Sequence, residues 1–216
     1  MGVQGSAGWN EPPADAQRRY VPISRQSPQH LPDSLVNATI AAAEPDFWSH
    51  SGFLVSGWNE PDQHPTLAQK LVSDLLLYNE RPSWRRAIRE RILAAQVTAQ
   101  YGRSQVLEWV LNSSDYGNEA FGVEAAAELY FGRPATDLTP AESGVLAATA
   151  QSPGLNPFDA TDVALQRGRK ILELMRDLKL ITSDQAASAE SQPDLQQVIA
   201  ARKALFTQTT AGETSA

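Results

Sequence analysis

YGRSQVLEWVLNSSDYGNEAFGVEAAAELYFGRPATDLTPAESGVLAATAQSPGLNP, from Tyr101 to Pro157, decides the fold. Val106, Leu107, Val110 and Leu111 repeat as the stripe of a short amphipathic helix. Gly117–Asn118 breaks it. Phe121, Ala125 and Leu129 then run along one face to Tyr130–Phe131, and Gly132 stops that helix. Thr139–Pro140–Ala141–Glu142 is a capping box with proline in the first helical position, so a third helix starts there. Its small face, Gly144, Ala147 and Ala148, suits close helix contact, and Pro153, Gly154 and Pro157 end it. The stretch predicts a compact all-helical core with fixed corners.

Working outward, 216 residues allow one domain with a sizeable core, or one domain with tails. A hydrophobic content of 42% and a charged content of 20% are ordinary for a globular protein. A net charge of −7 argues against a nucleic-acid partner. With no cysteine there is no disulfide or thiolate metal site, and His30, His50 and His64 are too scattered for a zinc centre. No run approaches the ~20 apolar residues of a membrane span, and no signal peptide opens the sequence. Residues 1–20 read as a flexible lead-in, 21–206 as one domain and 207–216 as a frayed polar tail.

Along the chain, Tyr20–Ile23 reads as a short extended segment. Pro32–Asp33–Ser34 starts a helix through Leu35, Val36, Thr39, Ile40 and Ala42, which Pro45 ends by pushing Glu44 out of the α region. Phe53 to His64 reads as a loop with an exposed Trp58. Thr66 and Gln69 form a capping box, and polar groups at a helix N-terminus also make an anion site. The helix after Thr66 is expected to bury Leu67, Leu71 and Leu75, with Val72 and Leu76 flanking. RPSWRRAIRER holds five arginines (Arg81, Arg85, Arg86, Arg89 and Arg91), a local reversal of field in an acidic chain. Arg86 and Glu90, four apart, share a helix face. Guanidinium forks suit phosphate oxygens, whereas Arg89 and Arg91 read as solvated. Glu108 and Glu124 read as bridges or backbone caps, and Asn112 and Asn118 as turn-fixing residues. Thr161–Asp162 opens a long helix with Leu165, Ile171, Leu172, Met175 and Leu178 inward. Ser183–Asp184 caps a short one, and Leu195, Val198, Ile199 and Leu205 outline a last one.

LEWVLN, YGNEAFGVEAAAELYFGRP, LTPAESGVLAA and QSPGLNP, in that order, resemble the later motifs of the peptidoglycan glycosyltransferases. These are the family 51 transglycosylase domains of penicillin-binding proteins and their monofunctional relatives. The resemblance covers about Val21 to Ile181. EPDFWSHSG, anchored without a gap on Phe47, His50 and Gly52, is similar to the family's first motif. It places Ala43 where the family has its general-base glutamate, and Glu44 where the second acidic residue stands. Thr66 and Gln69 match a Ser-Thr-x-Thr-Gln-Gln motif in which Pro65, Ala68 and Lys70 depart from the pattern. Arg86 and Glu90 match an Arg-Lys-x-x-Glu motif with Ala87 for lysine.

The resemblance implies an all-α fold, with a lysozyme-like large lobe and a smaller mobile lobe around residues 47–70. It implies glycan polymerisation from lipid II with inversion at the anomeric carbon, outside the bacterial cytoplasmic membrane. The partners would be lipid II, the nascent glycan strand, the membrane surface and a transpeptidase domain or protein. The implied catalytic residues are Glu44 and Glu90. The implied substrate-binding residues are Thr66, Gln69, Lys70, Arg85 and Arg86, with Arg81, Arg85, Arg86 and Lys70 facing one cleft that takes the pyrophosphate. No metal ligands are assigned among the residues, and the only cofactor admitted is a divalent cation carried at the pyrophosphate. Ala43 leaves the base position empty, so turnover is expected to be poor or to run through Glu44, ~100° around a helix from it. A non-catalytic homologue that binds precursor or glycan is the alternative, and a lysozyme-like glycan-cleaving enzyme is a weaker one. Members usually begin with a membrane anchor, so the chain is expected to have lost one or to be a fragment of a longer reading frame.

Overall fold

A computed structural model describes residues 31–54, 66–190 and 195–213. The lead-in, Tyr20–Ile23, Trp58 and residues 55–65 of the expected small lobe lie outside them. Among the described residues the secondary structure is helical: α1 (Asp33–Ala43), α2 (Leu67–Leu76), α3 (Trp84–Tyr101), α4 (Arg103–Ser113), α5 (Val123–Phe131), α6 (Pro140–Gln151), α7 (Thr161–Asp177), α8 (Ser183–Glu190) and α9 (Leu195–Glu213). The one β feature among them is an isolated antiparallel bridge between Asp115 and Phe121.

Helix ends follow local chemistry. The Thr66 hydroxyl accepts from the Gln69 N–H, that of Ser83 from the Arg86 N–H, and Thr139 and Glu142 cap one another reciprocally. Gly132, at φ 69°, closes α5 in the left-handed conformation.

α6 is the central helix, and every residue from Ala141 to Thr149 is buried. It packs on α1, α7 and α8. At its crossing with α7 a Cβ on Gly144 would lie 2.8 Å from the Gly168 carbonyl oxygen, and one on Gly168 would lie 2.7 Å from Val145 Cγ2. The small face read from the sequence is therefore a backbone-to-backbone contact. α2 packs on α3 and α4, and α5 packs on α9.

Several expectations are corrected. Leu75 and Leu76 are exposed, because the buried leucine at that end of α2 is Leu77, which caps the helix and turns back into the core. Phe121 precedes α5 instead of lining it. Gly122, at φ 86° and pressed against the Asn112 carbonyl, is not helical, so the helix cannot begin earlier. Leu178 is exposed, whereas Ile171, Leu172 and Met175 are buried as expected. Thr182, not Ser183–Asp184, caps α8: its N–H and hydroxyl exchange hydrogen bonds with Gln185. α9 stays helical to Glu213, into the expected tail, while Leu205 is exposed and Ile199 is buried there, with Leu195 and Phe206 packed against the core.

Candidate active site

A cleft of about 580 Å³ opens between α1, α2, α4, the turn after α4, and the C-terminal end of α6. Thr39 and Ala43 line it from α1, and Leu67, Lys70 and Asp74 from α2. Val110, Leu111, Asp115 and Phe121 come from α4 and its turn, and Ala147, Ala150 and Gln151 from α6. Its walls are mostly apolar. Lys70 and Asp74, one helical turn apart, form an ion pair of 2.6 Å.

Ala43 and Glu44, adjacent in sequence, go opposite ways. Ala43 is exposed at the cleft, while Glu44 is 4% exposed and does not line it. Glu44 Oε2 accepts the Leu67 N–H at 2.6 Å, at the first turn of α2. Its Oε1 pairs with His50 Nε2. His50 Nδ1 accepts from the Gly52 N–H at 3.1 Å, so a neutral imidazole carries its proton on Nε2 and donates it to Glu44. Burial pushes the Glu44 carboxyl above its ordinary range, opposed by the Leu67 N–H, His50 and Arg103. The anion site expected at the start of α2 is therefore filled from within, by Glu44.

Thr66 and Gln69 are enclosed too. The Thr66 hydroxyl donates to the Gly52 carbonyl at 2.8 Å. Gly52 sits at φ 88° over α3, where a Cβ would lie 2.1 Å from Thr98 Oγ1. Gln69 accepts from the Leu54 N–H at 3.0 Å and donates to Glu90 Oε1 at 3.1 Å. Glu90, 1% exposed, lies 3.6 Å from the Arg86 guanidinium. Arg86 donates to Ser73 Oγ at 2.6 Å and reaches the Leu77 carbonyl. These residues form a buried polar strut between α2 and α3.

The arginine cluster disperses. Arg81 and Arg85 are exposed, with Arg85 over the Trp84 ring at 5.2 Å. Arg89 pairs with Glu80, as a solvated residue would. Arg91 is a correction, because it is buried and donates to the Leu54 and Ala87 carbonyls. Of Lys70, Arg81, Arg85 and Arg86, Lys70 alone lines the cleft, so the expectation of one shared cleft is corrected: the Arg86 face of α3 is covered by α2. Glu124 caps the Ala135 N–H, as read from the sequence.

Sequence reasoning missed Asp74, Asp115, Thr39 and Gln151 at the cleft. Asp74 carried a signal, its i+4 spacing from Lys70. Asp115 carried only a turn signal, and it reaches the cleft through chain folding.

Residues 10–176 match the family model described as Transglycosylase. Penicillin-binding protein 1A of Aquifex aeolicus is 31% identical over 195 residues, 82% of this chain and 25% of that protein. Penicillin-binding protein 2D of Bacillus subtilis is 28% identical over 189 residues, 82% of this chain and 26% of its own. The chain thus spans about a quarter of the length of these curated relatives. The crystal structure of penicillin-binding protein 1A from Haemophilus influenzae aligns at TM-score 0.41 and 29% identity, over 44% of this chain and 14% of that one. By the match of its family model over most of its length, and with secondary structure that is helical among the described residues, the chain belongs to the transglycosylase family.

Proposed function

We infer that the chain is a peptidoglycan glycosyltransferase that extends glycan strands from lipid II, the undecaprenyl-pyrophosphate-linked disaccharide-peptide, with inversion at the anomeric carbon. One observation carries this reading. The position that the first motif aligns with the family's general base, Ala43, opens on the cleft, and Lys70 opens on the same cleft. The reaction needs a cation at the leaving pyrophosphate, a carboxylate for the acceptor hydroxyl and a groove for a polymer. Lys70 is assigned the pyrophosphate, and the apolar walls between α1, α4 and α6 the sugar faces. Thr66, Gln69, Arg86, Glu44 and Glu90 are assigned to holding α2 against its neighbours.

A divalent cation fits this donor set poorly. Among the described residues no three His, Asp or Glu side chains converge, and Lys70 already occupies Asp74. The extracytoplasmic membrane face, the membrane surface and a transpeptidase partner are part of the same proposal. Among the described residues no helix is long and apolar enough to cross a membrane.

The second reading is a homologue that binds precursor without turnover. Ala43 and the enclosure of Glu44 and Glu90 favour it. Equilibrium binding of lipid II in detergent tests the shared part of both. Lys70→Ala should weaken binding about tenfold and flatten its salt dependence, as loss of one facing cation would. Equal affinity in parent and variant would remove Lys70 from the site.

A further inference from the structure

Glycosyl transfer needs a base at the cleft, and the family's position for it holds a methyl group. Glu44 and Glu90 are both used elsewhere, one on the Leu67 N–H and His50, the other on Gln69 and Arg86. Two carboxylates line the cleft among the described residues, Asp74 and Asp115. Asp74 stands beside Lys70, the cation assigned to the leaving group. Inversion puts the incoming hydroxyl on the far side of the anomeric carbon from the leaving pyrophosphate, so the base and Lys70 should come from different walls. Asp115 follows α4, while Lys70 stands on α2.

The position of Asp115 is fixed by its surroundings. Its Oδ1 accepts the Gly117 N–H at 2.7 Å, and Oδ2 makes no hydrogen bond among the described residues. The turn it opens is clamped. The Tyr130 hydroxyl donates to the Tyr116 carbonyl at 2.7 Å, and Asn118 donates to Asn156 Oδ1 at 2.8 Å. Asn156 is itself buried and accepts from the Phe158 and Asp159 N–H groups. A Cβ on Gly117 would lie 2.5 Å from the Pro153 carbonyl oxygen, so the turn is pressed onto the end of α6. A carboxylate oriented through one oxygen, on an exposed residue that lines the cleft, is placed as a base should be.

Resting on the transferase reading above, we propose that Asp115 is the general base of this chain, in place of the glutamate absent at Ala43. Asp115 takes the proton of the acceptor hydroxyl as that oxygen bonds to the donor's anomeric carbon. The bond from that carbon to the pyrophosphate oxygen breaks, its electron pair leaves with the polyprenyl pyrophosphate, and the proton passes from Asp115 to water.

The test is polymerisation of lipid II by the parent, Asp115→Asn, Ala43→Glu and Asp115→Asn/Ala43→Glu, with lipid II binding measured on each. Loss of a general base lowers rate by ~10²–10⁴. The expected result is that Asp115→Asn loses at least ~10² in turnover with binding kept, and that Ala43→Glu restores turnover in the double variant. Undiminished turnover in Asp115→Asn would overturn the proposal. So would a parent that binds but never polymerises, and turnover in Ala43→Glu would then leave the transferase reading standing. If neither binding nor polymerisation appeared in any of the four, the transferase reading itself would fail.

Discussion

Arg86→Ala separates a substrate-binding arginine from a structural one. The guanidinium is 7% exposed, donates to Ser73 Oγ at 2.6 Å, and lies 3.6 Å from a Glu90 that is 1% exposed. Removing one partner of a buried pair costs ~3–5 kcal/mol, because the other charge stays behind in a poor solvent. The lower end, about 3 kcal/mol, applies here, since Gln69 Nε2 still reaches Glu90 at 3.1 Å. For a chain of this size each kcal/mol moves Tm by ~2–4 °C, so the midpoint should fall by roughly 6–12 °C. The assay is thermal unfolding by circular dichroism, with lipid II binding measured well below both transitions. The double variant Arg86→Met/Glu90→Gln, which removes both charges, should recover most of the loss. An Arg86→Ala midpoint within about 1 °C of the parent, with weakened binding, would refute the reasoning and return Arg86 to the pyrophosphate.

Three other outcomes follow from the packing and the charges. Gly168→Ala should lower stability by ~1–2 kcal/mol in urea unfolding despite alanine's better helix propensity, because its Cβ would lie 2.7 Å from Val145 Cγ2; an unchanged midpoint would show that α6 and α7 can separate at no cost. The raised Glu44 pKa contributes stability that is fully present below its ordinary value and is lost as pH rises through the raised one. Glu44→Gln, which does not titrate, should therefore gain on the parent in urea unfolding as pH rises above the ordinary glutamate range, and a constant difference would contradict the burial account. Glu44→Gln should also keep polymerisation activity within about threefold of the parent, since Glu44 does not line the cleft, and a loss of ~10² would make it the base after all.

The helices were legible wherever spacing and punctuation agreed. The α6 box at Thr139–Glu142, the Gly132 stop and the small face at Gly144 all lie in a single stretch of sequence, and each is a local device. Ends set by tertiary contact were less legible. Gly122 delays α5 because the Asn112 carbonyl lies against it, and no window around Phe121 shows that. The family motifs point to residue types but not to the direction of each side chain. Ala43 and Glu44 differ by one position at a helix end, and only the fold shows that the methyl faces the cleft while the carboxylate caps α2. Arg86 and Glu90 share a face, as their spacing required, but that face is covered by Ser73 and Gln69. Asp115 opens a turn and was not singled out in the sequence; its place at the cleft depends on the clamp formed by Tyr130 and Asn156, 15 and 41 positions away.

The most direct measurement of the central claim is lipid II polymerisation by the parent chain alone, followed by gel separation of the glycan strands and by release of polyprenyl pyrophosphate. The account predicts strands longer than one disaccharide, formed in step with pyrophosphate release. Lipid II left unchanged by both the parent and Ala43→Glu would contradict it.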